Sequence, residues 1–335
     1  MPIHIYHDRD ADLACLKPLT IAVLGYGSQG HAHAQNLRDG GFRVLVAQRP
    51  GGPNHKRALA DGFEPISIAE AARRADLLVF ALPDELTGSV FAESVSPYLR
   101  PGQTLGFIHG FAVRFRQVIP PAGADVIMVA PKGPGSLVRE RFKQGSGVAC
   151  FFAVHQDATS KARQTALAWG AAIGGGRLGM IETSFATECE SDLFGEQTVL
   201  CGGVIELMKA AYETLVEAGY PAEAAYFECI HEVKQIVDLV YADGLGGMRE
   251  KISNTAAYGG LTRGPRLVTE ETRKEMRTIL EEIRSGRFAE DWLTDCRKGT
   301  PVLARLAQTE AGHPCEAAGR TIRGMGCSPP STGVK

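Results

Sequence analysis

The sequence lacks any apolar run approaching 18 residues, so it offers no candidate for a membrane-spanning helix. It has no excess of either charge: 36 Lys and Arg against 38 Asp and Glu give a formal net charge of -2. With no basic field and no run of like charges, neither nucleic acid nor a membrane surface is an expected partner. Its eight cysteines include no C-x-x-C pair, which argues against a thioredoxin-like or zinc-ribbon motif and for reduced core thiols. Cys189 and Cys229 lie beside acidic residues, where a thiolate would favour zinc, but the expectation is a small buried side chain at each. The N-terminal MPIHIYHDRDADL carries acids where a secretory signal needs a basic and then an apolar stretch, so the expected location is cytoplasmic.

What the chain does have is 335 residues with 44% hydrophobic content, enough for two cores. Its most unusual feature is four carboxylates in two pairs, Asp192 and Glu196 in DLFGEQ, and Glu228 and Glu232 in ECIHE. Four-residue spacing on a helix stacks each pair on one face, where like charges repel. The neighbours are apolar, TVLCGGVIELM after the first pair and AAYFECIHEVKQIVDLV around the second. Ionised acids in such surroundings are costly unless they are paired or bind a metal. An all-oxygen donor set suits Mg²⁺ or Mn²⁺, and two pairs suffice for two ions.

The N-terminal half reads as alternating strands and helices. LTIAVLGYGSQGHAHAQNLRDGGFRVLVAQR, from Leu19, is a strand, a glycine turn, a helix and a second strand. Gly25, Gly27 and Gly30 form G-x-G-x-x-G in the context that a dinucleotide site requires, with a pyrophosphate at the helix N-terminus. Between Arg43 and Ala60 there is no acid to bind the ribose 2′-OH of NAD, while Arg49, His55, Lys56 and Arg57 are present, which favours NADP. Further strands are expected at Ala75–Glu85, Thr104–Gly110, Asp125–Gly135 and Gly147–Asp157. In an open parallel sheet their carboxyl ends face the ligand, bringing His109, Lys132 and the acids of Pro83-Asp84-Glu85 to the crevice. After about Thr183 strand signals vanish and helical periodicity takes over. The expected organisation is a Rossmann-type α/β domain over 1–182, an all-α domain over 183–325, and a disordered tail over 326–335. Ser253, in ISNTA, is a helix cap by its local sequence.

These residues carry a likeness. GYGSQGHAHAQNLRDGG, LPDE, HGF, DVIMVAPKGPG, AVHQDA, ESDLFGEQ, LCGG, YFECIHE, ISNTA and RKEM follow in order the pattern of a short-form ketol-acid reductoisomerase, which the chain resembles over roughly residues 3 to 315. DLFGEQ with ECIHE is specific to that family, whereas the glycine motif is widely shared. The resemblance implies that Asp192, Glu196, Glu228 and Glu232 hold two Mg²⁺ ions, with Asp192 bridging, and that Ser253 meets the substrate across a dimer interface. It implies catalytic roles for His109, Lys132 and Glu232. It places the cofactor, NADPH with NADH as a weaker alternative, against Gly25, Tyr26, Gly27, Ser28, Gln29, Gly30, Arg49, Gly52, Asn54, Asp84, Glu85, Leu86, Thr87 and Gly135. A knotted helical domain, homodimers or assemblies of dimers, and the shared second step of valine and isoleucine biosynthesis are implied as well.

Two places depart from the family pattern. Positions where relatives offer hydroxyls to the 2′-phosphate hold Pro50, Gly52 and Asn54, so NADPH is expected to be preferred less strongly here. The chain from about Gly324 has no family counterpart. Three other readings explain less. A plain 3-hydroxyacid dehydrogenase needs no carboxylate quartet. A di-iron protein would use Glu228-x-x-His231, but its second copy, Glu310 to His313, sits in a Gly-Pro context. A non-catalytic nucleotide-binding subunit has no use for four acids together with Lys132.

Overall fold

The computed structural model describes residues 3–327 and divides into two compact units between Cys189 and Glu190. The sequence placed this boundary after residue 182; of the tail expected at 326–335, residues 328–335 lie outside the described residues. Among the described residues, no helix is long and apolar enough to cross a membrane.

The first unit is built on one eight-stranded sheet: β1 (Ile5–Tyr6), β2 (Thr20–Leu24), β3 (Arg43–Ala47), β4 (Leu77–Phe80), β5 (Thr104–Phe107), β6 (Asp125–Pro131), β7 (Cys150–Gln156) and β8 (Met180–Glu182). The strand order is β1-β8-β7-β6-β5-β4-β2-β3. β3, β2, β4, β5 and β6 run parallel, in a register that pairs Leu24 with both Ala47 and Phe80, and Phe80 with Phe107. Their carboxyl ends therefore finish along one edge. β2 lies between β3 and β4, so the chain leaves the sheet in opposite directions on either side of it, and a crevice opens there.

Strand alternation sends every second residue to each face. Ile21, Val23, Leu77, Val79, Ile127 and Val129 pack with Trp169 on one side. Ala22, Leu24, Leu78, Phe80, Leu105 and Phe107 pack on the other. With helices over both faces, the interiors of the parallel strands are apolar on both sides, as buried parallel strands must be, and their polar residues, Thr20, Arg43, Thr104 and Asp125, stand at the strand starts. One expectation fails: β7 pairs antiparallel with β6 and β1 antiparallel with β8, so the sheet is mixed. Side-chain period is the same in either direction, so the sequence of β7 could reveal a strand but not its sense.

The second unit is helical. Its buried cluster joins Tyr212 of the Gly203–Glu217 helix and Ala225 and Tyr226 of the Ala222–Tyr226 helix to Cys315, Ala318 and Ile322 of the Pro314–Ile322 helix. Tyr226 is fixed at its tip by Arg323, whose Nη1 donates to the phenol oxygen at 2.9 Å. The helical periodicity expected after about Thr183 is real but interrupted by two π turns, Glu196–Leu200 and Phe227–His231. Each shows the i to i+5 hydrogen bond, Cys201 N–H to the Glu196 carbonyl at 2.8 Å and Glu232 N–H to the Phe227 carbonyl at 3.0 Å. The crowding explains LCGG: a Cβ on Gly202 would stand 2.0 Å from the Gln197 carbonyl oxygen, and one on Gly203 2.0 Å from that of Thr198. Glu196 begins the first π turn, and Glu228 and Glu232 lie in and at the end of the second, a distortion often found at functional sites.

Candidate active site

At the end of β2 the chain turns at Gly25, with φ +94, and enters the Ser28–Asp39 helix with Gly27 as its N-cap. A Cβ on Gly25 would meet the Ala81 carbonyl oxygen at 2.5 Å, and one on Gly30 would meet that of Gly25 at 2.1 Å. Gly30 is thus needed for the turn itself. Gly27 differs, since a Cβ there would meet nothing within 4 Å. Its open face, beside uncapped N–H groups at the helix start, leaves room for a pyrophosphate.

Gly25 and Gly27 line a cleft of about 420 Å³, with Tyr26, Ser28 and Gln29 on the turn, Gln48, Arg49 and Asn54 after β3, and Pro83 and Leu86 after β4. Of the sequence candidates past β4, Leu86 lines the cleft. Thr87 is buried, its hydroxyl donating to the Pro83 carbonyl at 3.0 Å within its own helix. Gly52 caps the Pro53–Ala60 helix and is not among the residues lining the cleft. Gly135 joins two loops: its N–H donates to Ser28 Oγ at 3.1 Å, and a Cβ on it would fall 1.9 Å from the Ser28 carbonyl oxygen. Gln29 reaches the same loop, donating through Nε2 to the Gly133 carbonyl at 2.8 Å. The loop bearing Lys132 is in this way stitched to the glycine turn.

Beyond β5 and β6, His109 and Lys132 meet on one carboxylate. Glu188 accepts from Lys132 Nζ at 2.8 Å through Oε1, and pairs with His109 Nδ1 at 3.0 Å through Oε2. The Gly110 N–H also donates to Oε2, at 2.9 Å. The Glu188 side chain is 1% exposed. Burial favours its neutral form, but the imidazolium of His109 and the ammonium of Lys132 outweigh burial and hold the carboxyl at about 2. Burial likewise works against a charged His109, yet hydrogen bonds to Cys189 and Glu188 and the charges of Glu188 and Asp84 raise it to about 11. At neutral pH the site holds a carboxylate clamped between two cations. Nothing in its local sequence assigns Glu188 a role; its one signal is a spacing of four and eight residues from Asp192 and Glu196. Cys189, flagged as a possible metal ligand, is fully buried, and burial raises the pKa of its thiol.

In the second unit, Asp192 lies one helical turn past Glu188 on the Phe185–Gly195 helix, and Glu196 begins the π turn that follows. Glu228 lies in the second π turn and Glu232 closes it. The expectation that apolar neighbours bury these acids is not met within one chain: Asp192 is half-buried, and Glu196, Glu228 and Glu232 are exposed. The neighbours are exposed too, Val199 and Leu200 beside one pair and Phe227 beside the other. Among the described residues of this unit, no three His, Cys, Asp or Glu bring ligand atoms within 4.8 Å of one another. Ser253 caps the Asn254–Leu267 helix, accepting from the Ala256 N–H at 3.1 Å.

The βαβ turn, the cleft at the switch point and the cationic pair at the strand ends define a nicotinamide-dinucleotide oxidoreductase with a helical second domain. Residues 15–179 match the model of the acetohydroxy acid isomeroreductase NADPH-binding domain, and 185–327 that of the ketol-acid reductoisomerase C-terminal domain. The chain belongs to the ketol-acid reductoisomerase family. It is similar to an NADH-preferring ketol-acid reductoisomerase from an uncultured archean, with 42% identity over 96% of this chain and 98% of that one and a TM-score of 0.93. Its fold is also similar to a semialdehyde dehydrogenase NAD-binding protein from Cupriavidus necator, at 21% identity over 80% of this chain and 99% of that one with a TM-score of 0.61. A pyrroline-5-carboxylate reductase from Coxiella burnetii is similar in fold, at 14% identity over 80% of this chain and 96% of that one with a TM-score of 0.55.

Proposed function

We propose that the protein converts 2-acetolactate or 2-aceto-2-hydroxybutyrate to the 2,3-dihydroxy-3-methyl acid, using two Mg²⁺ ions and NADPH, in valine and isoleucine biosynthesis. The observation that carries this reading is the Lys132–Glu188–His109 cluster at the strand ends, on the helix that continues into Asp192. Alkyl migration moves a group from C2 to C3 of the substrate while C2 becomes a ketone, and hydride is then added at C2. Negative charge develops on substrate oxygen in both steps, and preorganised cations are the groups that stabilise it. Glu188 supplies that preorganisation, since it holds the Lys132 ammonium and the His109 imidazolium by direct hydrogen bonds.

Asp192, Glu196, Glu228 and Glu232 are the residues that would hold the ions, and hard carboxylate oxygens fit Mg²⁺. Bound Mg²⁺ supplies Lewis-acid polarisation of the substrate's hydroxyl and carbonyl oxygens, and reduced nicotinamide supplies the hydride. In this assignment Glu232 takes the C2 hydroxyl proton and gives it back to the C3 oxygen once the alkyl group has moved, and Lys132 donates a proton to the C2 oxygen as hydride arrives. Gly27 and the open helix start fit the pyrophosphate, and the absence of an acid from Arg43 to Ala60 fits NADPH, with NADH as a weaker alternative.

The reading includes a homodimer. Val237 and Tyr241, one helical turn apart on the helix that follows Glu232, are 54% and 87% exposed, and Leu245, just past the break in that helix at Gly244, is 70% exposed. Exposed apolar surface of this kind marks an interaction face. A second copy covering it brings the quartet together: Asp192 and Glu196 of one copy join Glu228 and Glu232 of the other, with Ser253 brought to the substrate. The two chemical steps can be tested separately. Glu232→Gln should fail to rearrange 2-acetolactate yet still reduce 3-hydroxy-3-methyl-2-oxobutanoate; equal loss of both activities would remove Glu232 from the migration step.

A further inference from the structure

Gln48 follows β3 directly, the place where an NAD-binding βαβ unit carries the acid that binds the adenosine ribose. Its backbone is held there: the Gln48 N–H donates to the Ile66 carbonyl at 3.2 Å, and the Ile66 N–H donates to Val46 at 2.9 Å. Its side chain turns to the glycine loop, where Oε1 accepts from the Tyr26 N–H at 2.9 Å. A backbone N–H can only donate, so the amide oxygen is the atom that must face it. The remaining polar group is then the NH₂, which only donates, and no hydrogen bond ties it to another of the described residues. Gln48 lines the cleft beside Arg49.

We propose that Gln48 selects the cofactor at the 2′ position of the adenosine ribose, by presenting this NH₂ to a 2′-phosphate. The inference rests on the dinucleotide reading above. A carboxylate here would spend one oxygen on the Tyr26 N–H and turn the other, an acceptor with negative charge, toward the ribose. It would bind a 2′-OH and repel a 2′-phosphate. The amide has the same shape with the opposite polarity and no charge. Gln48 therefore performs with a donor what Asp or Glu performs with an acceptor in NAD enzymes, and compensates for the hydroxyls missing at Pro50 and Gly52.

The test is calorimetric binding of 2′,5′-ADP and 5′-AMP, which needs no turnover and isolates the adenosine end. Wild type should bind 2′,5′-ADP more tightly. Gln48→Glu keeps the acceptor for the Tyr26 N–H and so keeps the turn; it should lower 2′,5′-ADP affinity by about 100-fold and leave 5′-AMP within about threefold. Gln48→Met, uncharged and unable to accept from Tyr26, gives a second reading: 2′,5′-ADP should lose about tenfold more than 5′-AMP. Equal losses for the two nucleotides in these variants would make Gln48 a brace for the turn and overturn the proposal, as would no loss in either. Wild type that binds neither nucleotide would overturn the dinucleotide reading itself, and the proposal with it.

Discussion

Lys132 Nζ lies 2.8 Å from Glu188 Oε1, and His109 occupies the other oxygen of that carboxylate at 3.0 Å. One buried acid therefore sets the position of two cations that come from the ends of different strands. Glu188→Gln keeps the shape but removes the charge that offsets them. Leaving a buried charge without its partner costs about 3 to 5 kcal/mol. Urea unfolding should show a loss of that order, and the His109 pKa, followed by NMR, should fall from its raised value toward the ordinary range. Turnover should fall by about 100-fold, the scale set by losing one preorganised stabilising group. An unshifted His109 in that variant would show that Glu188 does not control the pair.

Gly27 separates binding from folding. An added Cβ meets nothing in the protein, and its φ of -76 suits any residue. Gly27→Ala should keep the wild-type unfolding midpoint and lose at least about tenfold in dinucleotide affinity, because the methyl group occupies space assigned to the pyrophosphate. Unchanged affinity in a titration would move the pyrophosphate elsewhere.

His33 makes acid stability measurable. It is wholly buried, accepts from Trp169 Nε1 through Nδ1 at 3.2 Å, and burial lowers its pKa to about 3. The folded chain holds it neutral while the unfolded chain protonates it near its ordinary value, so its contribution is present above about pH 6.5 and is lost as pH falls toward 3. Between about pH 6.5 and 5 that loss is about 2 kcal/mol. His33→Gln retains an acceptor for Trp169 without titrating, and should lose less stability than wild type over this interval in urea melts at the two pH values. Identical pH slopes would contradict the assignment.

The proposed dimer has a test by mixing. Asp192→Asn and Glu232→Gln should each be inactive in the rearrangement, but subunits exchanged between them should regain activity, since one of the two sites in each mixed dimer carries both wild-type pairs. No recovery after verified exchange would mean that each chain supplies its own four acids.

Much of this was legible in the sequence, and the exceptions share a cause. The apolar strands and the Gly25 turn depend on neighbours within a few residues, so period and spacing reveal them. The direction of β7 and the π turns at Glu196 and Phe227 depend on pairing and crowding that local periodicity does not record. Glu188 was missed because its chemistry comes from partners 79 and 56 residues away in the chain. Gln48 is illegible for another reason: an acid at that position carries a known meaning, whereas an amide becomes informative only once its oxygen is seen committed to Tyr26. The apolar flanks of the carboxylates were read as burial within a chain, where the structure shows exposed surface.

The most direct test of the proposed activity follows oxidation of NADPH with 2-acetolactate as the only other substrate, with Mg²⁺ supplied and with divalent cations removed. The account expects oxidation and 2,3-dihydroxy-3-methylbutanoate in equal amounts when Mg²⁺ is present, neither when it is withdrawn, and both again when it is restored. Product formation that persists without divalent cations, or no product with them, would contradict it.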